Sequence, residues 1–186
     1  TTLQPWGGYA LYNRTGAEQT VLLDPVQGSS GLARMTLDDE AGWQVAIEAQ
    51  SGDYFDRYNR FGCLESASNE LDWHDNPEMA PMGNHISMYF NSIIESSVVP
   101  MTSDLRQTLD HVQIWDGEIT GSGLTESVEL SWNVEKAAPG DIAVNLIDLN
   151  TRNVLDLTAP DQYLLGDLDD RYSRQVKIVA GDPEQV

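Results

Sequence analysis

Residues 51–83 concentrate the side chains of this sequence that could bind a cation. Calcium takes six to eight oxygen ligands, and carboxylates and amide carbonyls are its usual partners in proteins. The segment offers these oxygen donors: Asp53, Asp56, Asp72, Asp75, Asn76 and Glu78. The set predicts a calcium site, although its spacing does not match an EF-hand loop. The alternative interpretation is a group of solvated acidic loops whose carboxylates cap turns.

The same segment carries aromatic side chains that could stack on a sugar ring. Trp73, Tyr54 and Tyr58 are the candidates, and Trp73 is expected to be exposed because Asp72 and His74 flank it. Aromatic residues more often belong to a core, since each one buries a large apolar area. Three other tryptophans fit strand interiors and are predicted core residues: Trp43, Trp115 and Trp132.

The sequence contains no recognisable catalytic set. His74, His85 and His111 lack the spacing of zinc ligands, and no G-x-S-x-G nucleophile motif occurs. Acidic residues abound, but no pair stands out as the carboxylates of a glycosidase. Cys63 is the only cysteine, so we predict a small buried side chain rather than a disulfide or a cysteine-based zinc site. We therefore expect a protein that is not an enzyme.

The charge of the chain restricts its partners. Thirty acidic residues face ten basic ones, which gives a net charge of −20. Nucleic acids and anionic membranes attract basic surfaces, so we expect neither as a partner. No apolar run approaches the roughly 20 residues that span a bilayer. The chain starts at Thr1 rather than at a methionine, and we expect it to be a mature or trimmed piece of a longer protein.

Alternation of apolar and polar residues predicts an all-β fold. A period near two with one apolar face is typical of a half-buried strand. The clearest examples are residues 43–49, 128–132, 142–149, 154–157 and 175–180. Short strands separated by turns favour β-sandwiches.

We predict two sandwich-like units. Residues 1–110 would form the first, beginning with a hairpin in residues 1–26 and containing a long aromatic and acidic loop at residues 51–83. Residues 111–186 would form the second, an immunoglobulin-like sandwich. A loop of about 30 residues inside a compact domain is unusual and often functional.

Several stretches resemble a β-sandwich region found near the C-termini of large secreted bacterial proteins of the type IX secretion class. They are Leu3 to Asn13 (LQPWGGYALYN), Asp53 to Gly62 (DYFDRYNRFG), Asp75 to Glu78 (DNPE) and His85 to Phe90 (HISMYF). The closing run, residues 144–157 and 163–181, resembles the immunoglobulin-like fold of that region. The resemblance implies an extracellular or cell-surface accessory module without catalytic residues.

These observations lead to three functional hypotheses. The first is a secreted structural or adhesive β module that contacts neighbouring subunits, through self-assembly, or a protein partner at a cell surface. The second is a carbohydrate-binding module of a secreted hydrolase, which would bind polysaccharide through Trp73, Tyr54 and Tyr58. The third is an enzyme, which would need a pocket with convergent polar groups.

Overall fold

The computed structural model describes residues 41–94, 96–107, 112–166 and 172–184. This part of the chain contains eleven strands and no helix, so the all-β prediction is confirmed. The hairpin expected in residues 1–26 lies outside the described residues.

Each of the five clearest segments predicted from alternation forms a strand, and further strands lie between them. In chain order they are β1 (Gly42–Ser51), β2 (Tyr54–Leu64), β3 (Asn76–Pro77), β4 (His85–Ile94), β5 (Ser97–Gln107), β6 (Gln113–Ser122), β7 (Val128–Lys136), β8 (Ala143–Asp148), β9 (Val154–Asp156), β10 (Asp161–Gly166) and β11 (Tyr172–Gly181). All pairings are antiparallel except the parallel pair of β2 and β5.

Hydrogen bonding joins these strands into one sheet. Its order is β10-β7-β1-β2-β5-β4-β6-β11-β8-β9, with β3 attached to β5. Ten strands laid flat would separate β9 from β10 by roughly 43 Å, at about 4.8 Å per neighbour. The link between those two strands, residues 157–160, can span at most about 18 Å even when extended. The sheet must therefore curl until its two end strands lie near each other.

Strands from both sides of the predicted domain boundary pair within this sheet, and the later strands flank the earlier ones on both sides. β1 lies between β7 and β2, and β6 lies between β4 and β11. The described strands thus form one sheet around one main core, while the predicted boundary at residues 110 and 111 falls on residues outside the described part. The division of the chain into two units at that point stays a prediction. Alternation along a strand shows which side chains face inward, but it carries no information about which strand lies alongside.

Aromatic side chains fill the centre of the core. Trp43, Phe61 and Trp115 make edge-to-face contacts with ring centroids 5.3–5.9 Å apart, and Phe90 adds a fourth ring against Phe61. Edge-to-face pairs contribute beyond their buried area because the positive ring edge meets the negative ring face. The predictions of core positions for Trp43, Trp115 and Trp132 are confirmed, since all three are buried.

Cys63 lies in the same core, as predicted from the sequence. Its side chain is fully buried and has no disulfide partner. Burial raises the pKa of the thiol to about 12, so Cys63 stays protonated and acts as a small apolar side chain.

A buried ionic cluster joins the two ends of the sheet. Asp148, at the end of β8, is fully buried and accepts hydrogen bonds from Arg174 Nε at 3.1 Å and Nη2 at 2.6 Å. The Tyr163 hydroxyl on β10 donates to Asp148 Oδ2 at 3.2 Å, and Asn153 Nδ2 donates to that hydroxyl at 2.8 Å. Side chains, rather than a backbone ladder, therefore connect β10 to the β8–β9 end.

The charge of Asp148 is stabilised by several donors at once. Burial alone raises the pKa of a carboxyl group, but hydrogen bonds from Arg174, from the Thr151 hydroxyl and from the backbone N–H groups of Asn150 and Thr151 outweigh it. They lower the pKa of Asp148 from 3.8 to about 2. Its stabilising contribution is therefore present above about pH 4 and is lost as the pH falls through 2.

Arg174→Ala is expected to lower the free energy of unfolding by about 3–5 kcal/mol, because it leaves a buried carboxylate without its cation. Lys177→Ala is the matched control on the same strand, since it removes an ion pair with Asp116, which is exposed. Such a pair contributes at most about 1 kcal/mol. Urea unfolding at pH 7 measures both effects. Equal losses in the two variants would contradict the role given to the buried cluster.

Candidate functional site

The connection between β2 and β4, residues 65–84, is the most elaborate loop of the described part and is called the 65–84 loop below. It contains only the two-residue strand β3, which pairs with β5. The loop expected at residues 51–83 is shorter than predicted, because Tyr54–Leu64 forms β2. The pairing of β1 with β2 shifts register between Ile47 and Ala49, and Tyr58 on β2 has a positive φ of 78°. These two features mark a bulge in β2 at Tyr58. The bulge interrupts the period of two and conceals the strand in the sequence.

Two carboxylates organise the loop by accepting backbone hydrogen bonds. Asp72 accepts the N–H of Ser68 at 2.6 Å and the N–H of His74 at 2.7 Å. Asp75 accepts the N–H of Asp72 at 3.0 Å and, across to β5, the N–H of Leu105 at 3.0 Å. Acidic side chains that bind nearby backbone N–H groups stabilise irregular loops in place of a ladder. Asp72 and Asp75 thus fold the loop and fix it on the sheet.

Glu78 fixes the other end of the loop to two strands. Its Oε1 accepts a hydrogen bond from Ser87 Oγ on β4 at 2.8 Å, and its Oε2 accepts one from Thr102 Oγ1 on β5. Its backbone N–H donates to Pro100 O at 2.8 Å. Both carboxylate oxygens are therefore engaged with the strands beneath.

His74 lies between these anchors and is buried. Its carbonyl accepts a hydrogen bond from Ser103 Oγ at 3.0 Å, and its Nε2 lies 2.8 Å from Ser66 Oγ. A serine beside a histidine is the first part of a nucleophilic site, which also needs an acid that orients the imidazole. The observed hydrogen bonds of Asp72 and Asp75 go to backbone N–H groups. The hydrogen bond between Ser66 and His74 also ties two parts of the loop together.

The anchored loop presents large apolar side chains to solvent. Trp73 is 60% exposed, Met79 is 70% exposed and Met82 is 92% exposed. The Trp73 ring contacts the His74 ring, with centroids 3.5 Å apart and planes tilted by 32°. Exposed aromatic and methionine side chains on an ordered base are typical of binding surfaces. The two methionines were not singled out by the sequence, because a short stretch without periodicity gives no signal of exposure.

The structure distributes the predicted calcium ligands over several roles. Asp53 is exposed in the β1–β2 turn, and Asp56 Oδ2 accepts the N–H of Met88 at 2.6 Å. The remaining carboxylates already accept protein donors: Asp72, Asp75 and Glu78. Among the described residues, no group of three or more His, Cys, Asp or Glu side chains is placed to hold a metal ion. Calcium binding stays a prediction, and the geometry supplies no assembled set of ligands for it.

The predicted sugar-binding aromatics also differ in position. Trp73 lies on the 65–84 loop, whereas Tyr54 and Tyr58 lie on β2. Tyr58 is exposed and lies beside the Arg60 guanidinium, 5.5 Å from its ring centroid. Tyr54 is half-buried and packs against the core. Of the three aromatic residues predicted to bind sugar, Trp73 and Tyr58 are therefore exposed, whereas Tyr54 is not.

Two half-buried acids, Asp56 beside the loop and Asp75 within it, hold protons more tightly than usual. Burial raises the pKa of Asp56 to about 6, against the opposing hydrogen bond from Met88, and the charge of Glu78 adds to the increase. Burial likewise raises the pKa of Asp75 to about 6, against hydrogen bonds from the N–H groups of Asp72 and Leu105. Each carboxylate is thus held partly desolvated in its charged form at neutral pH.

Comparisons with protein-family models, with curated protein sequences and with solved structures gave no match for this chain. The described residues include no helix of the length and apolarity needed to cross a bilayer.

Lowering the pH from 7.5 to 5 is expected to stabilise the fold. The raised pKa of Asp56 means that the folded state binds more protons than the unfolded state between about pH 4 and 6. Asp148 does not oppose this effect, because its contribution is lost only at lower pH. Asp56→Asn should reduce the dependence of melting temperature on pH to the part that Asp75 contributes, while the exposed control Asp53→Asn should retain it in full. Parallel slopes for the two variants would refute the assignment to Asp56.

Proposed function

We propose that this chain is a secreted, non-catalytic β module that binds a protein partner through the 65–84 loop. One observation carries the proposal: half-buried polar anchors hold a loop that exposes Trp73, Met79 and Met82. An ordered loop loses little conformational entropy when it binds, so more of its contact energy contributes to affinity.

The types of the exposed residues favour a protein surface as the partner. Tryptophan is enriched among residues that contribute most to interface affinity, and methionine adapts its shape to an irregular surface. Met79 and Met82 are separated by Ala80 and Pro81, and residues 79–84 are all exposed. An apolar pocket on the partner could therefore receive either methionine without disturbing the anchored base.

The charge of the chain favours a partner of opposite sign. A net charge of −20 makes close approach of two copies unfavourable, whereas a basic surface would be attracted. A different protein is therefore a better partner than a second copy. The resemblance of residues 3–13, 53–62 and 85–90 to secreted bacterial accessory regions supports an extracellular or cell-surface location.

The second candidate function is carbohydrate binding, and the exposure of Trp73 favours it. One face of the indole contacts His74, which leaves the other side available for stacking on a sugar ring. A set of insoluble polysaccharides tests this alternative, with Trp73→Ala as the variant. Retention of the wild type and loss in the variant would support sugar binding over the protein partner.

The double variant Met79→Ala, Met82→Ala is expected to weaken binding to the natural partner at least about tenfold, which corresponds to about 1.4 kcal/mol. Its free energy of unfolding should change by less than about 0.5 kcal/mol, because both side chains are exposed. Quantitative affinity capture from the secreted fraction of the source organism provides the measurement. Ile93→Ala is the matched control, since Ile93 is equally exposed but lies on β4. Capture that is identical for the wild type and the double variant would contradict the proposal.

A further inference from the structure

We infer that the edge of β10 that faces away from β7, unpaired among the described strands, accepts an extended, basic segment of another protein as an added strand. This surface is separate from the 65–84 loop and would give the chain a second mode of binding. The inference depends on three features of the two end strands of the sheet: an unpaired edge, an incompletely covered core and an acidic border.

The first feature is the unpaired edge itself. β10 pairs with β7 from Asp161 opposite Trp132 to Gly166 opposite Val128. In the part of the chain that the structure describes, no strand pairs with its other side. The backbone N–H and C=O groups that β10 directs away from β7 are thus available to an added strand. A register shift between Leu164 and Gly166 limits the usable length to about four residues.

The second feature is the incomplete cover over the core at the end strands. Inward-facing side chains of central strands are almost fully buried, as Ile47 and Leu130 show. Leu155 on β9 and Tyr163 on β10 also pack against the core but are only half-buried. An added strand beside β10 would place its own inward side chains over them. Apolar residues at alternate positions of that strand would therefore gain burial.

The outward side of the two end strands is also apolar. Leu164 on β10 is 61% exposed and Val154 on β9 is 60% exposed. Natural edge strands are commonly protected by lysine or proline, which discourage pairing with another chain. β10 contains neither residue along Asp161–Gly166. It therefore lacks two of the usual devices that prevent strand addition.

The third feature is the charge around the edge. Asp156 and Asp161 are exposed at the facing ends of β9 and β10, and Glu129 is the cross-strand neighbour of Leu164. Neither β9 nor β10 contains a lysine or an arginine. An added strand with lysine or arginine at its outward positions would be attracted, whereas a second copy of this acidic chain would be repelled. The occupant is therefore a basic segment with alternating apolar residues.

A labelled ten-residue peptide of alternating valine and lysine is the probe for this inference. Fluorescence anisotropy at 150 mM salt compares it with the same peptide carrying N-methyl groups on its valines, which keeps the charge but removes backbone donors. We expect the unmethylated peptide to bind the full chain at least tenfold more tightly. Leu164→Ala should reduce that binding several-fold, while Ile93→Ala, which changes an exposed apolar residue on β4, should not.

Hydrogen exchange locates the peptide without any substitution. The amides of residues 161–166 that point away from β7 should become protected when the unmethylated peptide binds. Equal affinity of the two peptides, protection of another strand, or protection of the β10 amides that point away from β7 before peptide is added would each overturn the inference. Concentration-dependent dimers protected at the same residues would also overturn it, in favour of a second copy. The double variant Met79→Ala, Met82→Ala should bind the peptide like the wild type, which separates this surface from the 65–84 loop.

Discussion

The whole structure depends on bringing the two ends of a long sheet together around one aromatic core. The link between β9 and β10 is too short for a flat sheet, so the strands must curl, and the ends meet without a continuous backbone ladder. Asp148, Arg174 and Tyr163 join those ends with side-chain hydrogen bonds. A buried carboxylate is costly by itself, and here the cost is offset only while all its donors are present. Among the described strands, the same arrangement that closes the core leaves the outer edge of β10 unpaired.

In the 65–84 loop too, side-chain hydrogen bonds take the place of a regular backbone ladder. A segment with little regular structure must satisfy its own backbone groups, and the acidic side chains do so at Asp72 and Asp75. Glu78 then fixes the loop to β4 and β5, so Met79 and Met82 project from a firm base. Asp72, Asp75 and Glu78, which look like cation ligands in the sequence, therefore support the loop that we propose as a binding surface. The acidity of the chain is the reason why we propose a basic partner for that surface.

Local patterns predicted much of the secondary structure but none of the pairing. The alternation of residues 43–49 and 128–132 identified β1 and β7 and their buried faces, because period two depends only on neighbouring residues. Their pairing places Ile47 opposite Trp132, a long-range contact that no local pattern contains. The bulge at Tyr58 concealed β2 for a different reason, since one extra residue reverses the faces of a strand. For Asp72 and Asp75, composition could not distinguish a cation ligand from a support for backbone N–H groups, because both roles use the same carboxylate oxygens.

The most direct test of this account is hydrogen exchange of the full chain in a chelator and then in calcium. The central claim is that carboxylates, without a cation, hold the 65–84 loop in place. The account predicts that the amides of Ser68, Asp72, His74 and Leu105 are protected in the chelator and that calcium leaves their protection unchanged. Amides that exchange freely in the chelator and become protected only when calcium is added would contradict it, and would identify the loop as a calcium site.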